Sequence, residues 1–206
     1  PDEIAGFDSY AINNWNNVQL DASGTELWDD SGNLTGAIMN FQVQNGWGDG
    51  SADTSTGDGK IARGYFDDTE TTSGIGVDIE VTNVPYELYN VVLYMTSDFG
   101  TGFSEYTVNG VSKTPNPVAD GGVDGWTNWV LNEYVLIFEN VTGATLDIEV
   151  ASRYADGNGD ARGTLAGFQI SRIGGQTKAE DPEPADEATD VPRDVVLNWT
   201  AGEFAS

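Results

Sequence analysis

Y-N-V-V-L-Y-M-T-S-D, residues 89–98, carries an almost unbroken apolar, β-branched and aromatic run from Asn90 to Met95 and then stops in the polar loop Thr96-Ser97-Asp98-Phe99-Gly100. Such a run is expected of a strand covered on both faces, because neither side of its pleat is left to water. The plain reading of these side chains is core. Their end, delivered to a Gly-containing loop, is where a rigid scaffold presents a binding surface.

Working outward, the neighbouring segments follow the other strand pattern. In Gly74–Val84, G-I-G-V-D-I-E-V-T-N-V, the residues Ile75, Val77, Ile79 and Val81 fall on one face and Asp78, Glu80 and Thr82 on the other, which predicts a strand with one wet face. Thr35–Val43, Ile61–Phe66, Phe103–Asn109, Val130–Phe138, Ala144–Ala151 and Leu165–Ile173 read as further strands, and Asp8–Leu20 brings a first one in through an Asn-rich turn around Trp15. Asn109-Gly110 marks a hairpin into Val111-Ser112-Lys113. With 26 glycines and 11% aromatic residues, and no amphipathic helical pattern, the chain is expected to be all-β, a sandwich or barrel.

The formal charge is −26, from 34 acidic against 8 basic residues. Such a surface repels nucleic acid and anionic membranes and suits cations or neutral partners. Cysteine and histidine are both absent, which removes thiolate chemistry, a Ser-His-Asp arrangement and histidine ligands for zinc. No run is long and apolar enough to insert in a membrane. The chain begins at Pro1 without Met, and the expectation is that an upstream segment has been removed from a secreted protein.

Asn14-Trp15-Asn16-Asn17, the Asp-Ser-Gly turn before Thr35-Gly36, Gly46-Trp47 and Arg63-Gly64-Tyr65-Phe66-Asp67 carry a family resemblance. It continues through Val84-Pro85-Tyr86, the Tyr89–Tyr94 run and Tyr106-Thr107-Val108-Asn109-Gly110 to Gly167-Phe168-Gln169-Ile170. Over residues 8–173 the chain resembles secreted bacterial modules similar to galactose-binding-like jelly-roll domains, which occur in large surface or polysaccharide-degrading proteins. The resemblance implies a β-sandwich of jelly-roll type and glycan binding. Residues 174–190 read as a Pro- and acid-rich linker. Residues 191–206 read as an orphan strand, since Pro184–Trp199 resembles the opening strand of an immunoglobulin- or fibronectin-like module. Covalently linked neighbouring domains follow from that reading.

Two long loops hold the candidate ligand residues. Thr114–Trp129 places Trp126 and Trp129 among glycines, prolines and acids, and Gly46–Lys60 opens with Trp47. An indole outside the core can stack on the C–H face of a sugar ring while acids and amides meet its hydroxyls. Trp126 and Trp47 lead, Trp129 stands between this role and the core, and Tyr65 and Arg63 follow. For calcium, Asp156, Asn158 and Asp160 give D-x-N-x-D with Gly157 and Gly159 permitting a tight turn, and Asp49 and Asp53 lie at alternate positions of the earlier loop. The competing readings are a flexible acidic hairpin and a solvated loop. A cell-surface layer or filament subunit, and a jelly-roll glycosidase or lyase, are the alternatives to a carbohydrate-binding module. The acid excess favours a neutral or weakly charged polysaccharide.

Overall fold

A computed structural model of the chain describes residues 3–19, 23–48, 53–67, 74–97, 104–116, 126–152, 163–173, 180–183 and 198–200. In chain order its elements are β1 (Thr25–Trp28), β2 (Leu34–Val43), β3 (Asn45–Gly48), α1 (Gly57–Ala62), β4 (Gly64–Asp67), β5 (Gly74–Thr82) and β6 (Leu88–Tyr94). There follow β7 (Ser104–Val108), β8 (Val111–Lys113), β9 (Val135–Thr142), β10 (Thr145–Ser152), β11 (Thr164–Leu165) and β12 (Gly167–Arg172). The protein is an all-β sandwich. One layer is a six-stranded antiparallel sheet in the order β1-β2-β5-β10-β7-β8. Opposite it lie the sheets β12-β6-β9 and β11-β4-β3. At the break between β11 and β12 the Ala166 N–H donates to the Tyr94 carbonyl at 2.8 Å, so these two strands run on as one against β6.

Alternation builds the core. Met39 and Phe41 of β2, Val77, Ile79 and Val81 of β5, and Leu146, Ile148 and Val150 of β10 point inward and meet Tyr89, Val91, Leu93 and Met95 in and just after β6. Each such side chain contributes about 1.5–3 kcal/mol by leaving water. The opposite face of β6 is covered too: Val92 and Tyr94 pack with Ala62, Tyr65, Trp129, Tyr134 and Val135. Residues 91–97 are all buried, as a strand with two dry faces requires. Asn109 and Gly110 take φ of 45° and 80° between β7 and β8, the left-handed pair a tight hairpin needs. Across the open side of the sandwich, the Lys113 ammonium donates to the Ile137 carbonyl of β9 and lies 5.0 Å over the Phe138 ring.

Several expected strands differ. Residues 8–19 form no strand: Asp8–Tyr10 is a single 3-10 turn, Ala5 and Ile12 make one isolated bridge, and Asn14 sits at φ 56°. Asn side chains supply their own turn chemistry and outcompete sheet pairing. Asn16 spends its amide on the backbone of Trp28, accepting from its N–H at 3.0 Å and donating to its carbonyl at 2.9 Å. Ile61–Phe66 is not one strand, because α1 runs to Ala62 and β4 starts at Gly64. The Thr56 hydroxyl accepts from the Gly59 N–H at 3.1 Å, and this cap decides the matter locally. Ile75 does not join Val77 in the core: the β5–β10 register slips between Val150 and Ala151, which leaves Ile75 49% exposed. The strand expected from Val130 starts at Val135, since the Val130 carbonyl accepts from the Glu133, Tyr134 and Val135 N–H groups in a tight turn.

The chain divides into two compact units, Pro1–Ser171 and Arg172–Ser206. In the second, β13 (Glu180–Glu183) pairs antiparallel with β14 (Asn198–Thr200), Glu180 opposite Thr200 and Glu183 opposite Asn198. The strand at Trp199, read as an orphan, thus has a partner inside the segment read as linker.

Burial raises the phenol pKa of Tyr94 well above its ordinary 10.0, and raises those of Tyr89 and Tyr134 in the same direction. A group whose folded pKa is raised contributes stability that is present below its unfolded value and is lost as pH climbs through the folded one. The melting temperature is therefore expected to fall as pH climbs above 10.0, and more gently in Tyr94→Phe. An alkaline limb that is the same in wild type and Tyr94→Phe removes Tyr94 from that account.

Candidate functional site

The layer on the outer face of β6 gathers Tyr65, Trp126 and Trp129 of the residues singled out in the sequence. The turn ahead of α1 is built by Asp53, whose carboxylate accepts from the Ser55 N–H at 2.9 Å. Hydrogen bonds from Ser55, side chain first and then backbone, hold that carboxyl below its ordinary value. In the first turn of α1, Asp58 Oδ1 accepts from the Gly6 N–H at 2.7 Å and from the Trp129 indole N–H at 3.0 Å. Trp129 stands edge-on to Tyr94 with centroids 4.9 Å apart, and Trp126 lies 4.8 Å from Trp129. Trp15 meets Tyr94 from another side at 5.5 Å. The Tyr94 hydroxyl accepts from the Phe7 N–H at 3.0 Å and donates to Gln169, which in turn donates to the Tyr10 carbonyl at 2.8 Å.

Burial sorts the aromatic candidates. Trp129, 7% exposed, and Tyr65, 4% exposed, belong to the core of this layer and offer no ring face to a ligand in this conformation. Trp126 is partly buried. Trp47 is 53% exposed on β3, an outer strand of its sheet, directly opposite Tyr65 and so on the same sheet face as this layer. Arg63 closes α1, is exposed, and makes no hydrogen bond or ion pair among the described residues. Of the calcium candidates, Asp49, Asp156, Asn158 and Asp160 lie outside the described residues, and Asp53 accepts from the Ser55 N–H through one carboxylate oxygen. Among the described residues, no three His, Cys, Asp or Glu side chains are grouped to hold a metal ion.

A second surface was missed by reading strands one at a time. The wet face of the six-stranded sheet forms a groove of about 560 Å³ lined by Asn40, Gln42, Asp78, Glu80, Asp147 and Glu149, with Thr107 and Asn109 at its side. Register sets these residues in rows: Asn40, Glu80 and Asp147 cross the sheet in one, and Gln42, Asp78, Glu149 and Thr107 in the next. Like charges thus stand directly opposite each other twice, an arrangement that costs stability. The Asn109 side-chain oxygen Oδ1 accepts from the Asp147 N–H at 2.8 Å and pins the hairpin to the groove's edge. The signal was present in the alternation of acids in Gly74–Val84 and again in Asp147 and Glu149; what was hidden was that the two strands are neighbours. Amides that donate and accept beside carboxylates that accept suit a hydroxyl-rich ligand.

Comparison with family models, with curated proteins and with solved structures finds no match to this chain. The sandwich, the aromatic layer and the groove therefore rest on the chain's own residues.

Proposed function

We propose that residues 1–173 are a non-catalytic carbohydrate-binding module, of jelly-roll type, in a larger secreted bacterial protein. The observation that carries this reading is Trp47: a large apolar ring half in water on β3, opposite Tyr65, whose buried cluster Trp126 packs against. An indole face left in water offers apolar area that a ligand can cover, and the C–H face of a sugar ring is one that fits it. The charge of −26 disfavours sulfated and uronate-rich chains, so the ligand is a neutral or weakly charged polysaccharide. Calcium would be held at Asp156, Asn158 and Asp160, with Asp49 and Asp53 as the candidates of the earlier loop.

Soluble neutral polysaccharides titrated while tryptophan emission is followed, with calcium and with a chelator, test the reading. Binding is expected to be modest, and Trp47→Ala to weaken it about fivefold or more, since a stacked ring contributes roughly 0.5–1.5 kcal/mol beyond the area it buries. Chelation is expected to lower the melting temperature through loss of a ligand of the folded state. No binding across the panel, or unchanged affinity in Trp47→Ala, removes the aromatic platform; an unmoved melting curve removes the calcium.

The groove supports a second reading, a jelly-roll glycosidase or lyase, because it sets Glu80 against Asp147 and Asp78 against Glu149. Against it, Asp78, Glu80 and Asp147 are exposed to water, whereas acid catalysis by a carboxyl needs one member of the pair held dry. Release of reducing sugar or unsaturated product from the same panel, abolished in Glu80→Gln, would establish that reading instead.

A further inference from the structure

We infer that Asp58 is the positioning residue of the Trp126 indole, the second ring of the proposed sugar-binding surface beside Trp47, acting on it through Trp129. The inference rests on the carbohydrate-binding reading for its function, while its geometry stands by itself.

One carboxylate oxygen ties three distant segments. Gly6 and Trp129 lie 52 and 71 residues from Asp58, and both donate to its Oδ1. Asp58 has little freedom to swing. Its helix is capped by Thr56 and braced by the Asp53 turn. The N-terminal segment passes so close that a Cβ on Gly57 would lie 2.8 Å from the Ile4 carbonyl oxygen and 2.9 Å from the Ala5 side chain. Gly6 itself takes φ +125°, and a Cβ there would come within 3.0 Å of the Tyr94 hydroxyl, so the strap is threaded closely over the buried tyrosine.

Among the described residues, Trp126 has no polar tether. Its indole nitrogen is buried and makes no hydrogen bond among the described residues, so the ring takes its orientation from packing, and the ring packed on it is Trp129. Trp129 is in turn aimed by its steeply inclined contact with the Tyr94 ring and by the Asp58 oxygen. Tyr94 fixes where Trp129 sits. The directional bond to Asp58 fixes how its plane is turned, and with it the plane offered by Trp126. A ring held before the sugar arrives is spared the ordering cost that a free side chain meets on binding.

The test uses the whole chain and two readouts that need no ligand. Two indoles at 4.8 Å give an exciton couplet in the far-ultraviolet circular dichroism, assigned by its disappearance in Trp126→Phe. Asp58→Asn, which keeps an acceptor oxygen, is expected to retain the couplet; Asp58→Leu is expected to lose most of it well below its melting temperature. A full couplet in Asp58→Leu overturns the inference. Should Asp58→Leu not fold, the Trp129 indole N–H resonance, assigned through Trp129→Phe, decides: it should exchange slowly in wild type and shift in Asp58→Asn, and fast exchange with no shift overturns the inference. With hydroxyethylcellulose, laminarin and galactomannan as probes, Asp58→Leu should bind about three- to tenfold more weakly than wild type. Equal affinity with a lost couplet overturns the functional half. Wild type binding none of the three counts against the carbohydrate reading alone, because the couplet still reports on Asp58.

Discussion

Leu93→Ala is expected to cost about 3 kcal/mol and to lower the melting temperature by roughly 10 °C. Leu93 is fully buried near the C-terminal end of β6, the central strand of its sheet, opposite Leu136 of β9, and it faces the core shared with the six-stranded sheet. Removing its branched end leaves a void between two sheets whose strands are fixed by their own ladders, so the walls relax only in part. Leu88→Ala, in the same strand but with a partly exposed side chain, is the internal comparison and should change stability by about 0.5 kcal/mol or less. Chemical denaturation of both variants settles the point. Equal losses at the two positions would mean that β6 is not the strand the two layers close on.

Gly59→Ala is expected to be as damaging through a different route. A Cβ at this position would lie 1.8 Å from the Asp53 carbonyl oxygen and 3.0 Å from the Thr56 hydroxyl, both of them parts of the helix start. The contact is with backbone, so no side chain can move aside, and either the Asp53 turn or the Thr56 cap has to open. Overpacking of this kind costs about 1–3 kcal/mol, and a lost cap adds about 1. The opening would also shift Asp58, and with it Trp129. A melting temperature roughly 10 °C below wild type, accompanied by an altered tryptophan spectrum, is the expected result. Wild-type stability in Gly59→Ala would show that the first turn of α1 is not packed on Asp53. Gly110→Ala provides the contrast, since nothing lies within 4 Å of a Cβ there and only its φ of +80° opposes the change.

What the amino-acid order determined by itself was local and periodic. The unbroken run at Asn90–Met95 called for two dry faces, and β6 has them. The alternation of Gly74–Val84 called for one core face and one wet one, which is found from Val77 to Thr82 but not at Ile75, and Asn109-Gly110 called for a tight hairpin, which is found. These succeed because side-chain direction in a strand and positive φ at Asn-Gly depend on the residue and its immediate neighbours. Where a short polar cap competed with strand propensity, as at Thr56 and Asn16, sequence periodicity pointed the wrong way, because one well-placed hydrogen bond outweighs a few tenths of a kcal/mol of preference.

Tertiary structure alone decided which strands are neighbours and which rings remain in water. The sequence leaves Trp129 between loop and core and reads Trp47 and Trp126 as loop rings; pairing with Tyr65 leaves Trp47 exposed while packing against Tyr94 buries Trp129. The Asp78–Glu149 and Glu80–Asp147 rows exist because β5 and β10, some 60 residues apart in the chain, lie side by side. Asp58 was unremarked in the sequence for the same reason: a single carboxylate acquires a role only when Gly6 and Trp129 are brought to it, and contacts across such separations are set by closure of the whole sandwich rather than by any local pattern.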